Sequence, residues 1–575
     1  MTDQLLDSAN LEAAPRDDPQ PRNRMVRTIN EAMRRHAAER PHAVFGEFVL
    51  KGTVRRLTYA ELLSDATRYA RHCAHRGVGP GDVVIIILDH GPDLATSFCG
   101  VMLLGAIPSF MPYATPKQDA GYYWTSHKQL FDRIAPKLII TFPANRRHFA
   151  THCPEYLDRL ALTDELPEAP TAWASPSDMD PDTVALLQHS SGTTSLKKGV
   201  MLTHRTILDQ VSTYAGHLGF GPDDVVASWL PLYHDMGLVA TLLMPLIVGA
   251  RVVLLDPFEW VTRPETLLDV IQEKRATFCW LPNFAFSHLA RVVPADRSFY
   301  LSSMRAFINC SEPCKPATFR TFQQRFASAG ITERMLQVSY AMAENVFAVT
   351  QTDLTRPCRL LRADRSTFME RGVICEAAEE ADSIEFLSCG PAVENTEIRI
   401  ASPDRDSLEE GEVGEIVIRG TSLFAGYYRL PDQTRSKLRQ GWYHTGDLGF
   451  LWKGELYVTG RKDDLIVVYG RNYYAHEIEE IVSAVPGVIP GRCVAIDVPS
   501  VELGTNQVIV MLETRDEEGA PMLPRTVKSR VAAAMGLVVT SVVVERPGTL
   551  AKTTSGKISR ELNRLRYLNR GAARN

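Results

Sequence analysis

The sequence lacks the patterns of a membrane-spanning or disulfide-stapled protein. No apolar run approaches the ~20 residues that a membrane-spanning helix needs, and no apolar segment typical of a secretory signal follows the first methionine. The ten cysteines are scattered without a Cys-x-x-Cys pair, and the closest two are Cys310 and Cys314. We therefore expect reduced thiols rather than disulfides or a zinc site, no membrane span, and a cytoplasmic location.

The sequence also lacks a large excess of either positive or negative charge. The 63 basic and 68 acidic residues give a formal net charge of −5. A general nucleic-acid binder carries a strongly basic surface, so no nucleic-acid partner is expected. With 575 residues, of which 45% are hydrophobic and 23% charged, the chain predicts a globular protein of more than one domain.

Apolar β-branched runs alternate with helical patterns through the first half of the chain. Residues 83–88 predict a buried strand, residues 93–105 a helix, and residues 137–141 a further strand. This alternation predicts an α/β protein with mixed, mostly parallel sheets flanked by helices. Residues 1–24 are polar and proline-rich, which predicts a mobile arm.

A strand-like run at residues 184–187 leads into a short turn that is rich in small hydroxyl residues. The turn contains Ser190, Ser191, Gly192, Thr193, Thr194 and Ser195, followed by Lys197, Lys198 and Gly199. Glycine allows a close backbone approach, successive N–H groups and hydroxyls can hold an anion, and Lys198 adds a positive charge. We interpret the turn as a phosphate-binding loop; the alternative is an ordinary polar surface turn.

This turn resembles the phosphate-binding loop of the adenylate-forming superfamily, which includes acyl-CoA synthetases, luciferases and adenylation domains. That pattern is roughly Ser-Gly-Thr-Thr-Gly-x-Pro-Lys-Gly, and here Ser195 stands for the second glycine and Lys197 for the proline. Further strings resemble the fatty acyl-AMP ligase branch. They are Leu-Pro-Leu-Tyr-His-Asp-Met-Gly-Leu at 230–238, Trp-Leu-Pro-Asn-Phe at 280–284 and Arg-Asn-Tyr-Tyr-Ala-His-Glu at 471–477.

The string at residues 337–344 resembles the superfamily's Tyr-Gly-x-Thr-Glu motif. Tyr340 is a flat aromatic that could stack on adenine, and Glu344 is a hard ligand for Mg²⁺. Asp447, in a glycine-flanked turn, could accept both ribose hydroxyls, and Arg461 could pair with the same sugar or the α-phosphate. The resemblance implies ATP and Mg²⁺ as cofactors, with Thr194 as a candidate second metal ligand. The implied nucleotide-binding residues are Ser190, Ser191, Gly192, Thr193, Thr194, Lys198, Tyr340, Ala341, Met342, Asp447 and Arg461.

The branch-specific strings also imply an acyl pocket and a catalytic set. For single residues a structural role or plain core packing is the alternative, as at His234, Phe284 and Phe286. Near the end of the chain, Lys-Thr-Thr-Ser-Gly-Lys at 552–557 resembles the superfamily's terminal lysine loop. The implied acyl-pocket residues are His234, Met236, Gly237, Asn283 and Phe284, and the implied catalytic residues are Lys557, His234 and Glu344.

The resemblance divides the chain into a large adenylation domain at 25–460 and a small mobile α+β domain at 461–575, with a hinge near Asp463. Residues 351–382 show no clear period, and they lie between Glu344 and the Cys-Gly turn at 389–390. Fatty acyl-AMP ligases resemble this chain in carrying an insertion here. The alternative is an unrelated surface elaboration.

The resemblance implies two half-reactions. A fatty carboxylate attacks the α-phosphate of ATP, which gives acyl-AMP and pyrophosphate; the acyl group then passes to the phosphopantetheine thiol of an acyl carrier protein, as in lipid or polyketide–peptide biosynthesis. Two alternatives remain open. One is a fatty acyl-CoA synthetase. The other is a catalytically idle acyl- or nucleotide-binding relative, suggested by the departures at Ser195, Lys197, Ala341 and Ala343.

Overall fold

A computed structural model describes eight ranges of the chain. They are residues 26–114, 120–166, 179–189, 197–377, 383–469, 471–500, 505–552 and 558–572. Several predicted features lie outside the described residues: the arm at 1–24, the loop residues Ser190, Ser191, Gly192, Thr193, Thr194 and Ser195, and the catalytic Lys557.

The helices of the described ranges are numbered in chain order. They are α1 Ile29–Glu39, α2 Tyr59–His75, α3 Pro92–Leu103, α4 Ala120–Ile134, α5 Arg146–His152, α6 His204–Leu218, α7 Met244–Val248, α8 Pro257–Thr262, α9 Glu265–Lys274, α10 Asn283–Val292, α11 Pro316–Phe326, α12 Arg365–Arg371, α13 Pro431–Lys437, α14 Ala475–Ser483, α15 Leu523–Met535 and α16 Arg560–Ala572. A π-helical segment, Met236–Leu243, leads directly into α7.

The strands are numbered in the same way. They are β1 Val44–Leu50, β2 Thr53–Thr58, β3 Val83–Ile87, β4 Ile107–Phe110, β5 Leu138–Thr141, β6 Leu160–Leu162, β7 Val184–His189, β8 Gly199–Thr203, β9 Val225–Ser228, β10 Arg251–Leu255, β11 Phe278–Leu281, β12 Ala306–Asn309, β13 Leu336–Ala341, β14 Ala348–Gln351, β15 Leu360–Asp364, β16 Ser383–Leu387, β17 Thr396–Ala401, β18 Gly414–Gly420, β19 Gly426–Tyr427, β20 Leu438–Arg439, β21 Trp442–Trp452, β22 Glu455–Arg461, β23 Leu465–Val468, β24 Arg471–Tyr474, β25 Val488–Ser500, β26 Thr505–Thr514 and β27 Ser541–Glu545.

An eight-stranded sheet, ordered β14-β13-β12-β11-β9-β10-β1-β2, forms the centre of the large part of the chain. Its inner neighbours are parallel, and only the edge strands β2 and β14 run antiparallel. A second, wholly parallel sheet has the order β4-β3-β5-β6. The predicted α/β architecture with mostly parallel sheets is confirmed.

Parallel strands point their carboxyl ends to one edge of a sheet, where ligands of α/β proteins usually bind. In the large sheet, β9, β11, β12 and β13 share this direction. The segments that follow them contain His234, Asn283, Glu312 and Met342, and all four residues line one cleft. The sheet therefore brings together residues that are far apart in the sequence.

The C-terminal part of the chain has a hydrophobic core of its own. It forms where α14 and α15 cover a three-stranded sheet ordered β25-β26-β27, and it includes Ile478, Val510 and Val527. The main core of the preceding part runs from Ile29 to Leu456. The boundary near residue 460 stays a prediction, and two separate cores agree with it.

The predicted insertion forms ordered structure in its described part, residues 351–377. Strand β15 pairs antiparallel with β16, and α12 follows β15 directly. The Phe368 ring of α12 stacks on Tyr474 with the ring centroids 6.1 Å apart, and Met369 packs against the core of the C-terminal part. The insertion thus connects the large part of the chain to its C-terminal part.

Candidate functional site

The cleft has a volume of about 2860 Å³ and lies between the large sheet, the antiparallel sheet of β17, β18, β20, β21 and β22, and the C-terminal part. It is lined by both of the predicted ligand regions. On the nucleotide side it includes Tyr340 and Asp447, and on the acyl side His234 and Phe284. The predicted hinge residue Asp463 also lines it.

The predicted nucleoside-binding residues form one hydrogen-bonded group. The Tyr340 hydroxyl donates to Asp447 Oδ2 at 2.6 Å, and Arg461 Nε donates to Asp447 Oδ1 at 2.9 Å. Asp447 and Arg461 are held opposite each other because they are register partners in β21 and β22. Burial and the Asp447 charge raise the pKa of Tyr340, so its hydroxyl stays a donor. The Asp447 charge likewise raises the pKa of Arg461.

Replacing Asp447 by asparagine is expected to raise the KM for ATP about tenfold, because each lost charge-assisted hydrogen bond is worth about 1.5 kcal/mol or more. The KM for a fatty acid should change much less, since Asp447 lies on the predicted nucleotide side of the cleft. Steady-state pyrophosphate release with either substrate varied measures both constants. An equal rise in the two KM values would mean that the substitution disturbs the fold rather than the nucleoside site.

Glu344, the predicted metal ligand, lies in a short turn, Ala343–Asn345, directly after β13. Its Oε1 accepts a hydrogen bond from the Tyr427 hydroxyl at 2.8 Å, and the Tyr427 and Tyr443 hydroxyls are 3.1 Å apart. The turn ends at Val346, whose φ of 60° is unusual for a β-branched residue. Strain of this kind commonly persists where a side chain must be held in one place.

Lys198 lies close to Glu344 on the same wall of the cleft. Its Nζ lies 4.9 Å from the centroid of the Tyr427 ring. Burial lowers the pKa of Lys198, and the nearby Glu344 charge opposes this effect. Lys198 thus lies over the Tyr427 ring while Glu344 accepts from the hydroxyl of the same tyrosine, so the two charges can face a phosphate chain and its cation from one wall.

The predicted acyl side of the cleft is aromatic. Trp229 and Trp260 stack with their ring centroids 3.8 Å apart, and Phe284 meets both rings edge-on while 47% of its surface stays exposed. Phe286 points the other way and is fully buried against Phe322. An apolar wall with an exposed aromatic edge can bind an alkyl chain.

The other predicted acyl-pocket residues have different places. His234, Met236 and Asn283 line the cleft. The carboxamide oxygen of Asn283 accepts hydrogen bonds from Asn309 Nδ2 and from the backbone N–H of Lys315. Gly237 does not line the cleft. A Cβ at Gly237 would lie 2.2 Å from the Pro231 carbonyl oxygen, so this glycine permits close packing behind the wall.

A family model described as AMP-binding enzyme matches residues 30–428 of the chain. The chain belongs to the AMP-binding enzyme family. The predicted membership in the adenylate-forming superfamily is therefore confirmed, and with it the prediction that the protein is an enzyme.

Curated relatives and solved structures match this AMP-binding enzyme over nearly its whole length. Long-chain-fatty-acid–AMP ligase FadD32 from Mycolicibacterium smegmatis is 29% identical over 573 residues, 90% of each chain. Medium-chain-fatty-acid–[acyl-carrier-protein] ligase JamA from Moorena producens is 28% identical, again over 90% of each chain. A solved structure from a study of fatty acyl-adenylate ligases of E. coli and L. pneumophila has a TM-score of 0.87 and 27% identity, and the match covers 95% of this chain and 98% of that one. These names agree with the predicted fatty acyl-AMP ligase branch.

Several residues that complete the site of this AMP-binding enzyme were not predicted from the sequence. Tyr427 and Tyr443, which hold Glu344, belong to strings that match the superfamily pattern, but no role for them followed from the pattern. Ser109, which contacts His189 at the end of β7, stands in an apolar strand without any signal. Such contacts join distant strands, so only the fold reveals them.

The described ranges contain neither a metal-binding cluster nor a membrane-spanning helix. Among the residues with assigned positions, no group of three or more His, Cys, Asp or Glu side chains could hold a metal ion. Within the same ranges, no helix combines the length and apolarity that a bilayer crossing requires.

Proposed function

We propose that this AMP-binding enzyme activates a fatty acid as acyl-AMP, with release of pyrophosphate, and then transfers the acyl group to the phosphopantetheine thiol of an acyl carrier protein, with release of AMP. The observation that carries the proposal is the composition of the cleft. The Tyr340–Asp447–Arg461 group and the Lys198–Glu344 wall lie in the same cavity as the aromatic wall at Phe284. A nucleotide and an alkyl carboxylate can therefore meet there.

In the first step a carboxylate oxygen of the fatty acid attacks the α-phosphorus of ATP, and the bond from that phosphorus to the pyrophosphate oxygen breaks. Tyr340 and Asp447 bind and orient the nucleoside, and Lys198 offsets negative charge on the phosphates. The aromatic wall holds the chain and excludes water from the acyl-AMP. Lys557 and the hydroxyls of residues 190–194 complete the proposed set, which rests on the resemblance of their sequence.

Glu344 fits the manner in which Mg²⁺ usually binds nucleotides. The ion prefers one or two carboxylates together with phosphate oxygens, and the described part of the chain offers no closed metal cage. Glu344 lines the cleft beside Lys198 and has one oxygen fixed by Tyr427. When bound, Mg²⁺ would neutralise phosphate charge, with Glu344 and a candidate Thr194 as protein ligands.

Replacing Glu344 by glutamine is expected to raise the Mg²⁺ concentration needed for half-maximal adenylation several-fold, because a neutral amide is a poorer ligand for a hard cation. The Tyr427 hydrogen bond can still form, so the fold should be retained. A Mg²⁺ titration of pyrophosphate release measures the effect. An unchanged titration curve in a folded variant would assign Glu344 a structural role.

The carrier protein as acceptor is supported by two observations. The similar proteins FadD32 and JamA are named as a fatty-acid–AMP ligase and an acyl-carrier-protein ligase. In this chain, moreover, the insertion contacts the C-terminal part through Phe368 and Met369, where it can restrict the motion that admits a thiol.

A three-part assay tests the proposed function. Wild-type enzyme is incubated with ATP, Mg²⁺ and a series of fatty acids, and acyl-AMP is measured first. Acyl thioester is then measured with a phosphopantetheine-bearing carrier protein and, separately, with CoA. Acyl-AMP formation with thioester on the carrier supports the proposal. Efficient thioester on CoA would instead make the protein an acyl-CoA synthetase, and absence of acyl-AMP with every acid would make it a catalytically idle relative.

A further inference from the structure

Lys197 is a half-buried cation in the cleft, and it has no carboxylate oxygen within ion-pair distance in the described ranges. Its Nζ lies 5.9 Å from the centroid of the Tyr233 ring. The neighbouring Lys198 directs its ammonium to Tyr427 on another wall. The Arg133 guanidinium donates a hydrogen bond to the Lys197 carbonyl and so fixes the backbone at this point.

Two neutral imidazoles lie near Lys197, and the positive charge of Lys197 helps to lower the pKa of both. Burial is the main cause, and it lowers the pKa of His127 to about 4 and that of His189 to about 3. Both rings are therefore uncharged at neutral pH. They cannot compensate the charge of Lys197.

The hydrogen bonds of the two rings fix their tautomers. Ser109 Oγ donates its proton to the Leu187 carbonyl, so in the 2.8 Å contact His189 Nε2 must be the donor. His127 Nδ1 must donate to the Tyr123 carbonyl at 2.8 Å, because a carbonyl only accepts. The remaining nitrogens, His189 Nδ1 and His127 Nε2, are buried acceptors with no hydrogen-bond partner among the described residues.

Tyrosines complete this polar region. Tyr113 and Tyr233 line the cleft, and burial raises the pKa of both, which keeps their hydroxyls protonated. Tyr113 also meets Phe258 edge-on, with the ring centroids 5.6 Å apart, at the start of the aromatic wall. We name the group formed by Lys197, His127, His189, Tyr113 and Tyr233 the Lys197 subsite.

We propose that the Lys197 subsite binds an oxygen-bearing substituent, such as a hydroxyl or keto group, near the carboxyl end of the acyl chain. This inference rests on the proposed function, because it names the acids that the same cleft selects. We place the subsite near the carboxyl end because the Tyr233 ring, which Lys197 faces, lies 5.1 Å from the ring of His234, a residue assigned to the catalytic set.

A methylene group at this point would leave an ammonium group and polar side chains without water or a partner. A substituent oxygen can accept from the Lys197 ammonium or the phenols, and a hydroxyl can in addition donate to an imidazole nitrogen. A site built to hydrogen-bond a substrate oxygen rejects the analogue that lacks it more strongly than an apolar pocket rejects an extra group.

The test compares acids of one chain length, chosen as the length that wild-type enzyme adenylates fastest. The unsubstituted acid is measured beside its 2-hydroxy, 3-hydroxy and terminal-hydroxy forms, by kcat/KM for pyrophosphate release. We expect at least one near-carboxyl hydroxy acid to exceed the unsubstituted acid by about tenfold or more, as for a hydrogen bond to a charged group. The terminal-hydroxy acid, whose oxygen is remote from Lys197, should show no such gain.

Substitutions then test whether Lys197 causes the preference for near-carboxyl hydroxy acids. Lys197→Met should abolish the preference, and Lys197→Arg should restore part of it. Lys437→Met is the matched control, because Lys437 lines the same cleft and its ammonium lies beside Gly446. Any loss in that control should be the same factor for every acid.

The pH dependence of the wild-type preference provides a second measurement that needs no variant. Burial lowers the pKa of Lys197 to about 8. The preference should therefore be full below this pH and decline as the pH rises through it, because the neutral amine loses its charge. Other titratable or charged groups around the subsite are His127, His189, Tyr113, Tyr123, Tyr233, His234, Asp235, Arg133 and Asp256.

Equal kcat/KM values for all acids in the wild type would overturn the inference while leaving the proposed function standing. A preference that persists undiminished in folded Lys197→Met, or that shows no decline between pH 7 and 9, would overturn it as well. If no acid at all yields acyl-AMP, the proposed function fails and this inference fails with it.

Discussion

Replacing Lys557 by alanine is expected to slow acyl-AMP formation about 10²- to 10³-fold, the usual loss when one preorganised charge is removed from a transition state. Lys557 itself lies outside the described residues, but both ends of its loop are described. Lys552 and Ile558 form a β-bridge that closes the loop, and both line the cleft. The residue next to Lys557 is thus part of the cleft wall.

The anchoring of this loop explains why the substitution should leave the fold intact. Ser559 N donates to the Ala551 carbonyl at 2.9 Å, and the buried Asn563 carboxamide holds Ala551 from both its N–H and its carbonyl. None of these contacts uses the Lys557 side chain. The thermal midpoint of the variant should therefore stay close to that of the wild type.

Rapid-quench measurement of acyl-AMP in a single turnover checks the prediction, because it isolates adenylation from product release. Lys552→Ala is the matched control, since it removes the other lysine of the same loop and should cause a clearly smaller loss. A Lys557→Ala rate within a few-fold of wild type would show that another cation serves the reaction.

Arg560 connects this loop to the predicted hinge. Its guanidinium donates to Asp464 at 3.0 Å, to the Ala495 carbonyl at 3.1 Å and also to Glu479. Asp464 directly follows the predicted hinge residue Asp463. These buried ion pairs join α16 to α14 and to the turn that contains Asp464. Such contacts favour movement of the three segments as one body. The terminal lysine loop would then approach or leave the cleft together with the whole C-terminal part.

Features that depend on local sequence were predictable. The Thr58–Glu61 capping box at the start of α2 forms as its spacing indicates, with Thr58 N donating to the Glu61 carboxylate at 2.8 Å. The continuous β-branched run at 83–87 is a strand that is buried on both faces. In both cases the predictive signal lies within a few neighbouring residues, although β3 itself is stabilised by pairing with β4 and β5.

Features that depend on tertiary contacts were not predictable. Residues 351–377 show no periodicity, yet they form β15 and α12 because β16 and Tyr474 supply partners from later in the chain. Helix α16 is held in place by contacts such as that of Arg560 with Asp464, which lies 96 positions earlier in the sequence. The Tyr427–Glu344 hydrogen bond spans 83 positions of sequence, and no pattern rule reaches that far.

The contacts of the insertion determine which of its residues can be deleted without damage to the large sheet. Removing all of residues 351–382 would delete Gln351 and Thr352, which are buried, and Thr352 Oγ1 accepts from Val338 N at 2.9 Å. Strands β15 and β16 end at the pair formed by Asp364 and Ser383. Residues 365–382 can therefore be replaced by Asn-Gly, which closes the two strands as a tight hairpin without disturbing β13 or β14.

This deletion is expected to leave acyl-AMP formation largely intact and to raise thioester formation on CoA by about 5- to 150-fold, the effect of a bias of ~1–3 kcal/mol between two poses. It removes α12 and with it the contacts of Phe368 and Met369 with the C-terminal part. The C-terminal part would then reach poses that the insertion excludes. Pyrophosphate release and mass detection of acyl-CoA, on one preparation, measure the two activities.

Two point variants separate apolar packing from charge in this effect. Phe368→Ala removes the ring that stacks on Tyr474 and should reproduce part of the gain on CoA. Glu370→Gln removes only an exposed ion pair, in which Glu370 and Arg471 are both 57% exposed, and such pairs contribute little. A deletion protein that folds and adenylates but gains no CoA activity would show that the insertion does not select the acceptor. Residues along the route of the pantetheine arm would then have to carry the selection instead.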